Sequence, residues 1–542
     1  MKKKLLASLL SLMVMRAKLF VCGSAAVLAV ALFIPSQLAG QAGPAMQGSQ
    51  KSAASPDGRR HRPRYRLLHL GTLGGPIGYG SVSGDGIRML NQQGSVTSFA
   101  DTTVPDPFAP DFCFDPDCLV AHGFRWKHGV KTDLGALDND FSSVAGSLNE
   151  RGWIVGQSET GRVNPALGGP EIRAVLWKPN NVIHDLGTLD GGSFSLSISV
   201  NDVGQIVGIS DNGVPDPFSL FGNGVQVRTF LWEDGVMQDV GTLGGPDSLP
   251  GSNCDTQRRN QIVGFSYTSF IPNDTTGVPT ANPFLWKDGK MMDLGNLGGT
   301  MGFAQCDNDR GEVIGISDLS GDLRFHAFLW RKGVMKDLGT LGGDNSQAIW
   351  INESGDIAGS ADLPGSTLHD AVLWRDGKIH DLGTIGNDPC SRGRGINSRG
   401  QVVGGSSDCR SFLRAFVWEE GGPMLDLNRL IAPGSGVQIT NAININDRGE
   451  ILAKSIPEGV TPIDDLDQGH LVLLIPCEMH DRHRGCDADD QDDDRVSEPA
   501  SAVDNRRAPA TITQRPQTAK EAAAAWRARL LRQYHFPAVP RN

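Results

Sequence analysis

The sequence predicts an all-β fold, a β-propeller of four-stranded antiparallel blades, because two short signatures alternate along most of the chain. The first contains a Trp and a Gly-rich end, as in HAFLWRKGVMKDLGTLGG at residues 326–343. Its Trp residues lie 51, 55, 54, 44, 44 and 44 residues apart, at Trp126, Trp177, Trp232, Trp286, Trp330, Trp374 and Trp418. The second has the form Asn-x-x-Gly and begins at Asn149, Asn201, Asn308, Asn352, Asn397 and Asn446, with weaker copies at 91–94 and 257–260. Repeats of this length are typical of supersecondary units that must stack on one another.

Each unit contains four short apolar stretches separated by turn residues, for example residues 346–351, 356–360, 371–374 and 378–382. Such runs predict antiparallel strands. The Asn-x-x-Gly link predicts a type I turn closed by a Gly with left-handed backbone angles, and we expect the Trp-x-x-Gly link to form in the same way. The repeated Trp and Leu residues are expected to pack between blades.

The two ends of the repeat region predict that the propeller closes on itself. The region starts with a lone fourth-strand segment at residues 65–70 and ends with a third-strand segment at residues 470–475. If the N- and C-terminal strands share a blade, only short edges remain exposed. An eight-bladed ring is our first interpretation, a seven-bladed ring with one degenerate unit the second, and an open β-solenoid the third.

The composition divides the chain into a leader, a repeat body and a tail. Residues 1–42 combine basic residues with an apolar run, which predicts a cleaved signal peptide, with an uncleaved anchor as the alternative. Residues 43–64 form a linker, residues 65–476 the propeller, and residues 477–517 a disordered acidic and Pro-rich tail. Residues 518–542 include a possible short helix that is marginal in isolation; we expect it to fray, with docking on a partner as the alternative. We expect a secreted, periplasmic or cell-surface protein without membrane insertion after signal removal.

Charge and cysteine content constrain the partners and the compartment. The chain has 50 Lys and Arg against 61 Asp and Glu, a net charge of −11, which supplies no general attraction for nucleic acid. Eight of its nine cysteines follow the predicted signal, and export favours disulfides. The preferred pairs are Cys113 with Cys118, Cys390 with Cys409, and Cys477 with Cys486, which leaves Cys254 and Cys306 by elimination.

Metal and cofactor sites are not expected. Cys477, His480, His483 and Cys486 have the residue types of a tetrahedral zinc site, but the exported context favours a disulfide between the two cysteines. The repeated acids are expected to accept backbone or Trp hydrogen bonds rather than to form a catalytic ring. These acids are Asp133, Asp185, Asp239, Asp293, Asp337, Asp381 and Asp426.

The phrases HAFLW-x-x-G-x-M-x-DLGTLGG and IN-x-x-G-x-IVG-x-S resemble the HAF repeat, named for the triplet found here at His326, Ala327 and Phe328. The resemblance is strongest over residues 312–343. It implies a mostly bacterial protein with an extracellular location and no assigned biochemical role, and it brings no catalytic residues. The first unit departs from the pattern at residues 96–99, and the fourth departs where Gln257 and Asn260 replace the Asn and the Gly.

These observations favour an exported, non-enzymatic scaffold that binds a protein or carbohydrate partner. We expect binding on the face that carries four large insertions, because loops on a rigid scaffold commonly hold binding sites. The insertions are residues 101–121, 159–171, 211–228 and 267–282, and the candidate contact residues are Phe108, Phe218, Phe221 and Phe270. The alternative is an exported hydrolase or lyase with a site of dispersed carboxylates in the propeller channel.

Overall fold

In the part of the chain that the structure describes, the apolar runs of the repeat body form 31 β-strands, together with one 3-10 turn, η1 (Leu427–Arg429). The structure is a computed structural model that describes residues 63–78, 86–110, 112–113, 117–164, 168–221, 224–252, 254, 260–462, 469–477, 486, 518, 521 and 524. The strands belong to one compact part of the chain, Arg62–Asn542. The predicted signal peptide, nearly all of the linker, and most of the tail and terminal helix lie outside the described residues.

The strands follow one another in groups that we name units I to VIII. Unit I contains β2 (Val96–Pro105), β3 (Leu119–Lys127) and β4 (Val130–Asp133). Unit II contains β5 (Ser143–Leu148), β6 (Ile154–Val163), β7 (Pro170–Trp177) and β8 (Ile183–Asp185). Unit III contains β9 (Ser195–Val200), β10 (Ile206–Pro215), β11 (Val225–Glu233) and β12 (Val236–Asp239). Unit IV contains β13 (Ser248–Pro250), β14 (Gln261–Pro272), β15 (Pro279–Lys287) and β16 (Lys290–Asp293).

The second half of the repeat body is more regular. Unit V contains β17 (Gly298–Asp307), β18 (Val313–Leu319), β19 (Phe325–Arg331) and β20 (Val334–Asp337). Unit VI contains β21 (Ser346–Ile351), β22 (Ile357–Asp362), β23 (His369–Arg375) and β24 (Lys378–Asp381). Unit VII contains β25 (Cys390–Ile396), β26 (Val402–Ser407), β27 (Phe412–Trp418) and β28 (Leu425–Asp426). Unit VIII contains β29 (Val437–Ile445), β30 (Ile451–Pro457), β31 (His470–Pro476) and β1 (Tyr65–His69).

Strands within each unit pair antiparallel with their neighbours, and a single parallel bridge between Ala281 and Met301 joins units IV and V into one larger sheet. The first and last strands pair as expected, with Tyr65 opposite Pro476 and His69 opposite Val472. The all-β propeller class is confirmed. The count of eight blades and a fully closed ring stay predictions.

The two repeated turns differ from each other, which corrects one expectation. The Asn-x-x-Gly turn has the predicted form, since Gly355 has a φ of 86° and its N–H donates to Asn352 O. The Trp-x-x-Gly turn is instead a two-residue hairpin in which both central residues have positive φ, 50° at Lys332 and 84° at Gly333. This is the pattern of a type I′ turn, whose twist matches that of the flanking strands.

The four large insertions were expected to be loops, and this is wrong for much of their length. In each of them the second and third strands continue past a register shift and pair again further out. β2, for example, resumes pairing at Pro105, opposite Leu119. The bulge lets the hairpin bend away from the blade while its backbone hydrogen bonds stay satisfied. The insertions therefore lengthen hairpins, with shorter connections at the tips in units II and IV, residues 164–169 and 273–278, than in units I and III, residues 106–118 and 216–224.

The Trp of each copy packs between units, as predicted. Trp177 is fully buried, and its Nε1 donates to Leu134 O at 2.9 Å. Trp374 makes the same bond to Leu338 O at 3.0 Å. In both cases the acceptor lies at the end of the preceding unit, so each Trp fixes the crossing from one unit to the next.

The Asn residues of the Asn-x-x-Gly turns also connect consecutive units. Each Oδ1 accepts the backbone N–H four residues on, as Asn352 does from Asp356. The Nδ2 groups donate to a backbone carbonyl of the following unit at 2.8–3.1 Å. These bonds run from Asn91 to Asn149, Asn149 to Asn201, Asn308 to Asn352, Asn352 to Asn397, Asn397 to Asn446, and Asn446 to Asn91. The last bond joins unit VIII to unit I.

Candidate active site between units I and II

The repeated acids have the structural role that the sequence predicted. In all seven, a carboxylate oxygen accepts the backbone N–H two residues on, at 2.7–2.9 Å. The His of the HAF triplet contacts the same group, because His326 Nδ1 lies 2.8 Å from Asp337 Oδ2. These side chains shape the start of the crossing between units and are not arranged around a common site.

Four disulfides are present, and they join the pairs that the sequence favoured. They are Cys113–Cys118, Cys254–Cys306, Cys390–Cys409 and Cys477–Cys486. They indicate an oxidising environment. The zinc alternative loses both of its thiols to the last pair, and His480 and His483 lie outside the described residues. Among the described residues, no helix is long and apolar enough to span a membrane.

The four Phe residues expected to bind a partner do not form one accessible surface. Phe221 is 2% exposed and packs edge-on against Phe194, with ring centroids 6.4 Å apart, so its assignment to a contact surface is wrong. Its ring completes the apolar core between units III and IV. Phe108 and Phe218 are half-buried, and Phe270 is 57% exposed.

The sequence analysis missed a set of buried acids, Glu159, Asp247 and Asp318, in units II, IV and V. Burial raises the pKa of Glu159 to about 7 and the pKa of Asp247 and of Asp318 to about 8. In each case the charge of a neighbouring carboxyl group adds to the effect of burial. Carboxyl groups that hold a proton near neutral pH are candidates for general acid–base catalysis.

Glu159 lies on β6 of unit II, against the hairpin of unit I. Its Oε2 accepts the N–H of Ser142 at 3.0 Å, which opposes the effect of burial on its pKa, while the charge of Asp106 raises it further. Its Oε1 is buried and has no hydrogen-bond partner among the described residues. An oxygen in this position can hold a proton that no neighbouring acceptor takes.

Aromatic rings flank the two groups that face Glu159. Phe141 precedes Ser142, and Phe108 follows Asp106 by two residues; the two ring centroids lie 5.2 Å apart. A Cβ on Gly161 would lie 2.7 Å from Phe141 Cε2, so only Gly permits this approach of the ring to β6. Burial of Glu159 itself favours the neutral form of its carboxyl group.

The arginine side chains of this hairpin bind a carboxylate other than that of Glu159. Arg162 Nε donates to Glu171 Oε2 at 2.6 Å, and Arg173 also binds this carboxylate. Hydrogen bonds from Arg162 and Thr160 and the charge of Arg173 outweigh burial and lower the pKa of Glu171 to about 2. One hairpin therefore holds an ionised carboxylate with arginine partners and a carboxyl group that keeps its proton to about pH 7.

Asp247 provides an internal comparison, because the sequence Val-Pro-Asp-Pro-Phe occurs twice, at residues 104–108 and 214–218, and makes the same turn hydrogen bond in both copies. Phe108 N–H donates to Asp106 Oδ1 at 2.8 Å, and Phe218 N–H donates to Asp216 Oδ1 at 2.9 Å. Asp247 faces the second copy, yet its two oxygens each accept a backbone N–H at 2.8 Å. Asp247 is therefore a structural clamp, whereas Glu159 retains an unused oxygen.

Gly86, which precedes unit I, lies close to the first strands of several other units. A Cβ on Gly86 would lie 3.2 Å from Ser252 Cβ and from Gln305 Nε2, and 3.3 Å from Ile349 O. These contacts belong to units IV, V and VI. The chain that enters unit I is therefore close to units that are distant from it in the sequence.

Glu159 had a sequence signal that was not used. It directly follows the Ser of the Ile/Val-Val-Gly-x-Ser run, where other copies carry Asp211 and Asp318. The carboxylate of Asp211 accepts the N–H groups of Ser193 and Phe194, so the position normally anchors the crossing between units. Glu159 differs from these copies by one methylene group, a change in length that a repeat alignment could have flagged.

The chain matches no family model, and no curated protein is detectably similar to it in sequence. Solved structures similar to it include the β-propeller domain of the Trilobed protease from Pyrococcus furiosus, 10% identical, with a TM-score of 0.37, over 65% of this chain and 95% of that one. Dipeptidyl peptidase 4 from Porphyromonas gingivalis is 12% identical, with a TM-score of 0.42, over 73% of this chain and 62% of that one. A family PL25 ulvan lyase is 10% identical, with a TM-score of 0.30, over 76% of this chain and 98% of that one.

These comparisons correct the expected function. The expected scaffold without chemistry is contradicted, because the similar propellers are named as peptidases and a polysaccharide lyase. At identities of 10–12% the similarity itself shows only the fold. The residues that would perform the chemistry must therefore be argued from this chain.

Proposed function

We propose that this protein is an exported hydrolase or lyase whose general acid–base residue is Glu159. One observation carries the proposal: Glu159 is a buried carboxyl group with a pKa of about 7 and an unpaired Oε1, beside the carboxylate of Asp106. Two carboxyl groups in unlike environments suit cleavage of a glycosidic bond, in which one gives a proton to the leaving oxygen. The site lies at the junction of units I and II rather than in the propeller channel.

The location outside the cytoplasm and the family are parts of the same proposal. The four disulfides and the predicted signal peptide support a secreted, periplasmic or cell-surface protein. Membership of the HAF-repeat family is supported by the repeated phrase and by the contact of His326 with Asp337.

The test is a substrate panel applied to the protein that begins at residue 43. Neutral, uronic-acid-containing and sulfated polysaccharides, together with peptide and lactone substrates, would be assayed for reducing ends, for unsaturated sugar products and for free amines or acids. We expect activity on at least one class, and a loss of about 100-fold or more in kcat for Glu159→Gln, since a lost general acid typically costs that much.

Asp247→Asn is the matched control. It changes a second buried acid of raised pKa beside the same loop sequence, but both of its oxygens already serve the fold. We expect its activity to equal that of the wild type at an unchanged melting temperature. Activity should also fall as pH rises above about 7, because Glu159 must be protonated to act as an acid. Equal activity of wild type and Glu159→Gln, or inactivity on every substrate, would overturn the proposal.

A further inference from the structure

One disulfide has a histidine beside it. The ligand atoms of His369, Cys390 and Cys409 all lie within 4.8 Å of one another. Among the described residues, three or more His, Cys, Asp or Glu side chains with ligand atoms this close together occur in this group. The other three disulfides have no such group within the described part of the chain.

Two strands and a turn hold the three residues. His369 begins β23 of unit VI and pairs with Asp362, while Cys390 begins β25 of unit VII and pairs with Ser407. Cys409 lies in the turn that follows β26, where its N–H donates to Ser407 Oγ at 3.2 Å. Cys390 is fully buried, and the other two are half-buried. The group therefore joins two units, is shielded on one side and is accessible from the other.

We propose that reduction of the Cys390–Cys409 disulfide creates a binding site for one Zn²⁺ ion, held by the two thiolates and a ring nitrogen of His369. Two thiolates, one imidazole and a water molecule are a known ligand set for tetrahedral zinc. Ligand atoms in such a site are roughly 3.5 Å apart, so after reduction the two sulfur atoms would separate to about that distance and the ring nitrogen of His369 would move toward them. The site is independent of Glu159 and of the proposed enzymatic function.

The chemistry requires a reductant and releases protons. With a phosphine, the S–S bond breaks, each sulfur ends as a thiol, and the oxygen of one water molecule leaves as phosphine oxide. Zn²⁺ then displaces one proton from each thiol, so metal binding should be weaker at low pH. In the oxidised protein neither sulfur carries the negative charge that the ion needs.

The experiment uses the protein that begins at residue 43, with Cys477→Ser and Cys486→Ser to remove the second Cys and His group. Phosphine-reduced and oxidised samples would be titrated with Co²⁺, followed by the thiolate-to-cobalt absorption band, and then with Zn²⁺ in competition. We expect one ion per chain in the reduced sample only. His369→Asn should weaken binding by about 100-fold or more, since even indirect partners of a metal ligand contribute up to about that factor.

The control is Cys113→Ser with Cys118→Ser, which removes a disulfide without the neighbouring histidine and should leave metal binding unchanged. Circular dichroism would establish whether the reduced protein keeps its strands. Absence of the cobalt band, equal binding by the oxidised protein, or unchanged affinity in His369→Asn would overturn the proposal. Loss of the strand signal on reduction would overturn it as well, because the site needs two folded units.

Discussion

Asp318 and Asp322 lie close together at the end of β18, where neither has an arginine partner among the contacts described. Asp322 accepts hydrogen bonds from Thr300 N–H at 2.6 Å and from Thr300 Oγ at 2.9 Å. Burial raises the pKa of Asp318 from 3.8 to about 8, and the charge of Asp322 contributes. Between these two pH values the folded protein keeps a proton that the unfolded chain releases. The free energy of unfolding should therefore fall as pH rises through this window.

Asp318→Asn tests this directly, because the amide cannot ionise. We expect the difference in melting temperature between about pH 5 and about pH 8 to be smaller in the variant than in the wild type. Part of the pH dependence should persist, since Glu159 and Asp247 act in the same direction. Asp376→Asn, in an exposed turn, is the control and should leave the dependence unaltered. An identical slope in Asp318→Asn and the wild type would contradict the assignment.

At this scale the sequence predicted the repeated side chains well and the unique ones poorly. The role of Asp337 could be predicted because seven copies share one spacing and one local bond. The pKa of Glu159 depends on Asp106, which comes from another unit, and on Ser142, which precedes β5. Such effects arise from tertiary neighbours and have no periodic signature.

The Asn-x-x-Gly turn is the element that links neighbouring units, and Asn352→Asp tests it. Asn352 Oδ1 accepts two backbone N–H groups, while its Nδ2 donates to Asn397 O at 3.0 Å. The substitution keeps the first interactions and replaces the donor with an oxygen that faces a carbonyl group. We expect a loss of about 1–3 kcal/mol in the free energy of unfolding, measured by denaturant titration.

Glu353→Gln is the companion variant in the same turn. Glu353 accepts the N–H of Asp309 at 3.0 Å, and an amide oxygen can take over that role. Its stability should lie within about 0.5 kcal/mol of the wild type. If both variants unfold at the wild-type denaturant concentration, the Asn bonds contribute little to cohesion between units.

Element boundaries were predicted closely in the regular units and less well in the extended hairpins. The predicted strand 346–351 is β21 as the structure has it, whereas residues 211–215 were assigned to a loop. The sequence there, Asp-Asn-Gly-Val-Pro, contains strong turn residues. It pairs as a strand because a bulge re-aims the chain and the opposite strand supplies hydrogen-bond partners.

For the whole molecule, the pairing of β1 with β31 predicts the effect of an N-terminal deletion. Removing residues 1–72 would expose the edge of β31 and uncover the apolar residues against which Tyr65 is buried. An unpaired hydrophobic edge strand promotes association between chains. We expect aggregation or a lowered melting temperature, measured by light scattering and calorimetry, whereas removal of residues 1–42 alone should change neither. A monomeric deletion variant with an unchanged melting temperature would contradict the closure of the propeller.

The fold class was predictable because every unit repeats the same apolar pattern, and a pattern seen many times outweighs local exceptions such as unit I. The function was not predictable in the same way, because the repeat specifies a scaffold. The residues proposed for chemistry occupy one place in it. A binding scaffold was expected because the repeat is uniform, but a uniform repeat does not mean that every unit has the same side chains.

The Asn bonds between units also bear on how the chain avoids assembling in the wrong order. Each bond has the same donor group, the same acceptor group and the same direction, so the contact that Asn308 makes with Asn352 would fit Asn397 equally well. A partly folded chain that skipped a unit, or borrowed one from a second molecule, would still satisfy these bonds, and repeat proteins are prone to such exchange. The information that distinguishes one neighbour from another must come from features present once. The Cys254–Cys306 disulfide between units IV and V is such a feature, and it gives that junction an identity the repeat itself lacks.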